Sequence, residues 1–297
     1  MTDFKILAVI PSLSVGSLPS LHRLSDALNV DNVETVVFAN GRSLAAVGNI
    51  AGVRMLSADA NVGFGIAINL AASSTTDWDW LLLVNDDVEL EAARFHQSLR
   101  QAMSQIPEEA AAAIYFDDAP EKPIPSMSSI IANLSLLAGV KKRWNDRRAR
   151  TPLTRGQTYR SFSVVAISCK LWESLDGFDE RFPFTFEDSD FVRRGLAIDA
   201  VFMAATNSGV RHAHSATSRR HIDRVLPVSA WGAFQYLMKW ETGPIRARLA
   251  CIVALLLRII LVPTVKAPWK LHILGIARSI RALLVGVPPK LPAFDEM

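Results

Sequence analysis

Trp80-Leu-Leu-Leu-Val-Asn-Asp-Asp-Val-Glu-Leu90 decides the reading of the fold, because five apolar residues run without interruption into Asn85, Asp86 and Asp87. Such a run reads as a strand buried on both faces, the kind found inside a parallel sheet. Whatever follows that strand lies at the carboxyl edge of the sheet, where open α/β folds bind their ligands. Adjacent carboxylates repel each other, and the repulsion is relieved when a divalent cation sits between them and an anionic ligand. The alternative is that Asp86 and Asp87 open a helix at Val88, since acids suit a helix N-terminus.

Outward from this strand the pattern repeats. Ile6 to Ile10 closes on Pro11, and Val33 to Asn40 reads VETVVFAN before Gly41. Helical spacing over Leu18 to Val30 joins them, so the chain opens β-α-β, which implies a doubly wound, mostly parallel sheet. Next comes Asn61-Val-Gly-Phe-Gly-Ile-Ala-Ile-Asn69, a glycine-bearing loop entering an apolar helix. Gly63 and Gly65 permit close backbone approach, and free N–H groups at a helix start suit a diphosphate. The spacing is neither the dinucleotide fingerprint nor the lysine-bearing phosphate loop. An ordinary helix-entry turn is the plainer reading.

Downstream, Asp176 to Gly195 reads DGFDERFPFTFEDSDFVRRG, with Glu187, Asp188 and Asp190 packed into four positions behind Phe182, Phe184 and Phe186. Partial desolvation there raises a carboxylate's pKa towards the range useful for a general base. The same acids also suit the cap of a helix starting near Ser189, with Arg193 and Arg194 pairing back to them. Finally GVRHAHSATS, Gly209 to Ser218, sets His212 and His214 two apart. A neutral imidazole completes the coordination of a Mn²⁺ or Mg²⁺ already held by oxygens. A surface pair is the alternative.

In this order the four segments resemble the GT-A fold glycosyltransferases of the large inverting family 2, in its rhamnosyltransferase-like branch. The resemblance covers roughly residues 4 to 220. It implies that Asp87 binds metal with His212, that Asp188 is the catalytic base with Glu187 beside it, and that Pro11, Asn40, Asn61, Gly63, Gly65, Asn69, Asn85 and Asp86 surround the donor. It further implies an inverting transfer of rhamnose or another hexose from a dTDP- or UDP-sugar, with Mn²⁺ or Mg²⁺, onto a glycan or polyprenyl-diphosphate-linked acceptor for cell-surface polysaccharide. The chain departs from the family in having Ala39-Asn40-Gly41-Arg42 where an acidic residue is usual, and Asp176-Gly177 where a glycine pair is usual.

The residue chemistry fits independently of the resemblance. Transfer from a nucleotide sugar needs a neutralised leaving diphosphate and a base within reach of the acceptor hydroxyl. A glycoside hydrolase would flank its bond with two carboxylates and need no metal, leaving the glycine loop and the histidine without a role. Two other readings stand beside this one. A non-catalytic GT-A relative that binds nucleotide or lipid is motivated by Ala39 and by a first strand ending Ile10-Pro11-Ser12-Leu13, without the tyrosine-asparagine often found in that family. A sugar-phosphate nucleotidyltransferase would usually carry a basic glycine-rich loop near the amino terminus, and residues 11 to 20 hold no Lys or Arg.

Half of the 297 residues are hydrophobic, enough for a large core. Cys169 and Cys251 both lie in apolar surroundings and imply no disulfide framework. The amino terminus reads as a first strand and not as a signal peptide. Residues 1 to 204 carry 19 Lys+Arg against 25 Asp+Glu, and residues 205 to 297 carry 13 against 4. We therefore divide the chain into a catalytic domain, 1–222, and a basic helical region, 223–297. Leu249 to Val262 has a single charge, Arg258, and is too short to span a bilayer. In the following helix Lys270, Arg278 and Arg281 fall opposite Ile273, Ile276, Ile280 and Leu283, which suits a helix lying on an anionic membrane with Trp269 near the headgroups. Packing over the catalytic domain is the alternative. The expected location is cytoplasmic, peripheral on the inner face of the cell membrane, and a homo-oligomer is compatible with the sequence. The basic run Lys141 to Arg150 suits a lipid-diphosphate contact or a solvated loop. One short cluster on an acidic domain makes a poor phosphate track, so no nucleic-acid partner is expected.

Overall fold

The computed structural model describes residues 4–41, 50–138, 158–212, 221–264 and 268–292. His214 and the basic run 141–150 lie outside them.

Seven strands form the central sheet: β1 (Ile6–Ser12), β2 (Val33–Asn40), β3 (Arg54–Ala58), β4 (Trp80–Val84), β6 (Ala112–Tyr115), β9 (Val164–Ser168) and β10 (Val201–Ala204). Their order is β10-β6-β9-β4-β1-β2-β3. The pairs β4–β1, β1–β2, β2–β3 and β10–β6 are parallel, while β9 runs antiparallel to both its neighbours. The α/β, doubly wound, mostly parallel sheet expected from the sequence is thus present.

Alternate residues of β1 and β4 serve opposite layers. Ile6, Ala8, Ile10, Trp80, Leu82 and Val84 pack beneath α1 (Leu18–Leu28) and α3 (Ala92–Ser104). Leu7, Val9, Leu81 and Leu83 pack beneath α2 (Phe64–Ala72), α5 (Cys169–Leu175) and α6 (Glu187–Leu196). This double burial is why both strands read as unbroken apolar runs. Pro11 does not close β1, which continues to Ser12; its pairing with β4 ends at Val9, so proline's missing N–H falls past that ladder.

Asp86 and Asp87 do not open a helix. The chain turns there into a short strand, β5 (Val88–Leu90), which pairs antiparallel with β11 (Val210–His212). A second ribbon joins β7 (Lys122–Pro123) to β8 (Thr158–Tyr159).

A third core unites α4 (Met127–Leu134), α7 (Ile222–Trp240), α8 (Pro244–Leu261) and α9 (Trp269–Val285) with Phe182. The two amphipathic segments behave differently from each other. In α9, His272, Gly275, Ile276, Ser279 and Leu283 are buried, and Arg278 pairs with Asp223 of α7 at 3.0 Å, so this helix packs on its neighbour. The exposed apolar stripe falls mainly on α8. Among the described residues no helix is long and apolar enough to cross a membrane.

Candidate active site

Because β1, β2 and β4 are parallel, their carboxyl ends come together, and the antiparallel β9 begins beside them with Val164 opposite Val84. Chain segments at this edge therefore converge: Ser12, Asn40, Asn85 to Asp87, and Ser161 to Ser163. With the loop before α2 and the start of α6 they line a cleft of about 430 Å³ holding Pro11, Asn40, Asn61, Gly63, Asn85, Asp86, Asp87, Glu187 and Asp188. Asp87 and Asp188, about a hundred residues apart in sequence, face one cavity.

The floor is fixed by amide side chains. Asn40 accepts from the Val62 N–H at 2.7 Å and donates to the Gly63 carbonyl at 3.2 Å, while Asn61 accepts from the Gly63 N–H at 2.9 Å. Gly63 has φ 99°, and a Cβ there would sit 2.0 Å from the Pro183 carbonyl oxygen, so only glycine fits. The Phe64 N–H donates to that same carbonyl at 2.9 Å, tying the loop to the segment that carries the acids.

Two residues expected around the donor stand outside the cleft. Asn69 spends both ends of its amide on Phe178, accepting from the backbone N–H and donating to the carbonyl, each at 2.9 Å. Gly65 lies in the first turn of α2, where a Cβ would meet the Phe178 side chain at 3.1 Å and the Glu187 Cβ at 3.8 Å. Both pack α2 against the segment leading into α6. Their spacing from Asn61 is right for the motif, but spacing alone does not say which partner an amide or a missing Cβ serves.

Asp86 accepts from Ser12 Oγ at 2.5 Å, and burial holds its carboxyl above the usual range, with Asp87 adding repulsion. Backbone pairing puts residue 212 opposite Val88, one position from Asp87. Among the described residues no group of three or more His, Cys, Asp or Glu side chains is arranged to hold a metal. A half-buried, adjacent carboxylate pair at a strand end still fits a Mg²⁺-like ion that takes one or two protein carboxylates and completes its shell with ligand phosphates and water. Asp87, with Asp86 beside it, would hold that ion.

The acidic end of α6 is built under strain. Phe186 adopts the left-handed conformation at φ 75° while its ring packs 5.0 Å from that of Tyr236. A bulky residue there costs roughly 1–3 kcal/mol. The turn brings Glu187 and Asp188 into the cleft. Burial raises both carboxyls, and repulsion from Asp188 helps bring Glu187 to about 8. The two differ in surroundings. Glu187 Oε2 is buried with no hydrogen-bond partner, whereas Asp188 accepts from the Ser189 N–H at 2.6 Å and is favoured as an anion by Ser161 and Lys122, which bond each other at 2.5 Å. The negative charge thus belongs on Asp188 and the shared proton on Glu187. The expected capping pairs form only in part. Arg194 bonds Asp190 at 2.8 Å, but Arg193 reaches Glu241 at 2.9 Å.

Glu187 gives a pH signature. Its pKa in the folded chain exceeds the unfolded value, so its contribution to stability is fully present below about 4.5 and is lost as pH rises through about 8. Thermal melts of the Glu187→Gln variant should therefore fall less than wild type between pH 5 and 8.5. Parallel curves would show that the carboxyl is not buried as described.

No family model and no curated protein matches this chain. Among solved structures it is similar to S. aureus TarS, at 15% identity and TM-score 0.45 over 84% of this chain and 43% of that one. It is similar to glucosyl-3-phosphoglycerate synthase from Mycobacterium tuberculosis in complex with Mn²⁺, UDP and glucosyl-3-phosphoglycerate, at 16% identity and TM-score 0.46 over 76% of this chain and 78% of that one. A nucleotidyl transferase from Methanothermobacter is similar at 12% identity and TM-score 0.39 over 70% of this chain and 89% of that one. The chain thus spans under half the length of the full TarS structure.

Several residues at the site carry no signal in the sequence. Ser12, Ser161 and Ser163 are single serines beside apolar runs, with no pattern to mark them. Lys122 sits in an exposed ribbon whose pairing with residue 159 bridges a long separation.

Proposed function

We propose that the chain is an inverting GT-A glycosyltransferase that moves a sugar, rhamnose or another hexose, from a dTDP- or UDP-sugar to an acceptor hydroxyl. One observation carries the reading: Asp87 and Asp188 line the same cleft at the carboxyl edge of a parallel sheet. When bound by Asp87, with Asp86 and His212 in support, Mn²⁺ or Mg²⁺ would supply Lewis-acid neutralisation of the departing diphosphate. Asn61 and the loop around Gly63 position the donor. Asp188 takes the proton of the acceptor hydroxyl as that oxygen attacks the anomeric carbon, and Glu187, protonated, keeps the charge on its neighbour.

A thermal-shift screen of nucleotide sugars with each metal tests this reading. One dTDP- or UDP-sugar should stabilise the protein by several degrees in a metal-dependent way. No stabilisation by any donor would leave the proposal without a substrate.

The acceptor reading, a lipid-linked or glycan alcohol used at the inner membrane face, draws on α8. Ile245, Leu249, Val253, Leu256 and Ile260 form one exposed stripe, with Ile245 and Ile260 at 75% and 72% exposure. Arg246, Trp269, Lys270 and Arg281 of α8 and α9 are exposed as well, residue types that suit an anionic bilayer. Sedimentation with phosphatidylglycerol vesicles should carry down the wild type. Ile245→Glu with Ile260→Glu should weaken binding roughly tenfold or more, given about 1.5–3 kcal/mol per buried isoleucine. Equal binding of the two proteins would remove the membrane from the proposal.

A further inference from the structure

Behind Glu187 and Asp188 lies a second cavity, of about 640 Å³, that the donor does not need. Its walls come from the β7–β8 ribbon, α4, the start of α6, α7 and α8, and they are largely apolar: Ile130, Leu134, Phe184, Phe186, Val225 and Leu226. Seven buried side-chain polar atoms among the described residues have no hydrogen-bond partner, and three belong to residues of this cavity: Thr185 Oγ1, Glu187 Oε2 and Arg258 Nε. Unpaired buried polar groups are costly, so their gathering in one place points to a polar ligand that satisfies them.

Arg258 is the informative member. It is 6% exposed on the inner side of α8, amid the most apolar segment of the chain. Its guanidinium donates to the Leu134 carbonyl at 2.9 Å and meets His272 Nδ1 at 3.4 Å, and among the described residues it forms no ion pair with a carboxylate. Burial lowers its pKa to about 10, and burial together with the Arg258 charge lowers that of His272. A buried arginine ordinarily has an anion beside it. The neighbouring helix-end carbonyl offsets part of the charge, and the Nε–H remains for a ligand.

We propose that this cavity is the acceptor subsite, and that the acceptor is an alcohol bearing an oxyanion, phosphoryl or carboxylate, which Arg258 receives while the hydroxyl faces Asp188. The inference rests on the transferase reading and adds the acceptor's chemical class to it. The apolar walls take its carbon body. A neutral acceptor would leave the arginine unpaired.

Calorimetric titration of the full chain, preloaded with Mn²⁺ and UDP, provides the test. Glycerol 3-phosphate, glycerate and glycerol present the same alcohol with a phosphoryl, a carboxylate or no charge, and geranyl diphosphate adds an apolar body. At least one anionic probe should bind while glycerol does not, and which one binds names the source of the oxyanion. Arg258→Gln should weaken that binding roughly 10- to 100-fold, the range for a lost charge-assisted hydrogen bond, and Arg258→Lys should restore part of it. Ser229→Phe fills the cavity without altering Arg258 and should abolish the same binding, which separates ligand contact from loss of fold. Anionic probes that bind no better than glycerol, or bind both variants as well as wild type, overturn the inference. If UDP with Mn²⁺ fails to bind the wild type, the transferase reading itself falls; if it binds and only the anionic probes fail, the acceptor inference alone is lost.

Discussion

Replacing Asp188 with asparagine should lower transfer by about 10²- to 10⁴-fold, the contribution typical of a positioned general base, while affinity for the nucleotide diphosphate changes little. Asparagine keeps the shape and still accepts from the Ser189 N–H, so the change removes basicity and little else. It also relieves the repulsion that raises Glu187, so the variant should be at least as stable as wild type at pH 8. Turnover and donor binding measured on the same preparation separate the roles. Preserved turnover with lost donor affinity would move Asp188 from the acceptor side of the cleft to the donor side.

Much of this cleft was legible because burial on both faces leaves a mark in sequence. β4 and β2 occupy the ranges their apolar runs suggest, and the turn at Asn85 to Asp87 falls where a parallel strand must end. Glu187 and Asp188 were legible for a related reason: acids set directly among phenylalanines are desolvated wherever the segment folds inward. Direction was not legible. Val164 to Ser168 is as apolar as β4, and nothing in its composition says that it runs antiparallel, although that reversal is what brings Ser163 beside Asn85. Partner choice is equally hidden: the spacing of Gly65 and Asn69 from Asn61 does not show that both meet Phe178. Which apolar helix face stays exposed is hidden for a similar reason. α9 shows a sharp division of charge, but α7 covers its apolar side, and the less polarised α8 is left outside. Helical periodicity identifies an apolar face without showing what packs on it.

The second large effect concerns Asp87. Outer-sphere partners of a bound ion typically change metal affinity or activity 10- to 100-fold, so removing a direct carboxylate should cost about 100-fold or more in metal-dependent donor affinity. Asp87→Asn is the informative change, because it leaves the turn between β4 and β5 intact while removing the charge. Asp86→Asn should cost less, since Asp86 is bonded to Ser12 and already holds its proton more tightly than an ordinary aspartate. A larger loss at Asp86 than at Asp87 would exchange their roles.

Both expectations depend on one ion joining Asp87 to a diphosphate in the cavity that also holds Asp188. Calorimetric titration of UDP and dTDP into wild type and Asp87→Asn, each with and without Mn²⁺, measures that link directly. The expected result is tight binding of one nucleotide by wild type only when Mn²⁺ is present, and loss of that metal-dependent binding in the variant. Nucleotide binding indifferent to Mn²⁺, or equal in the two proteins, would contradict it.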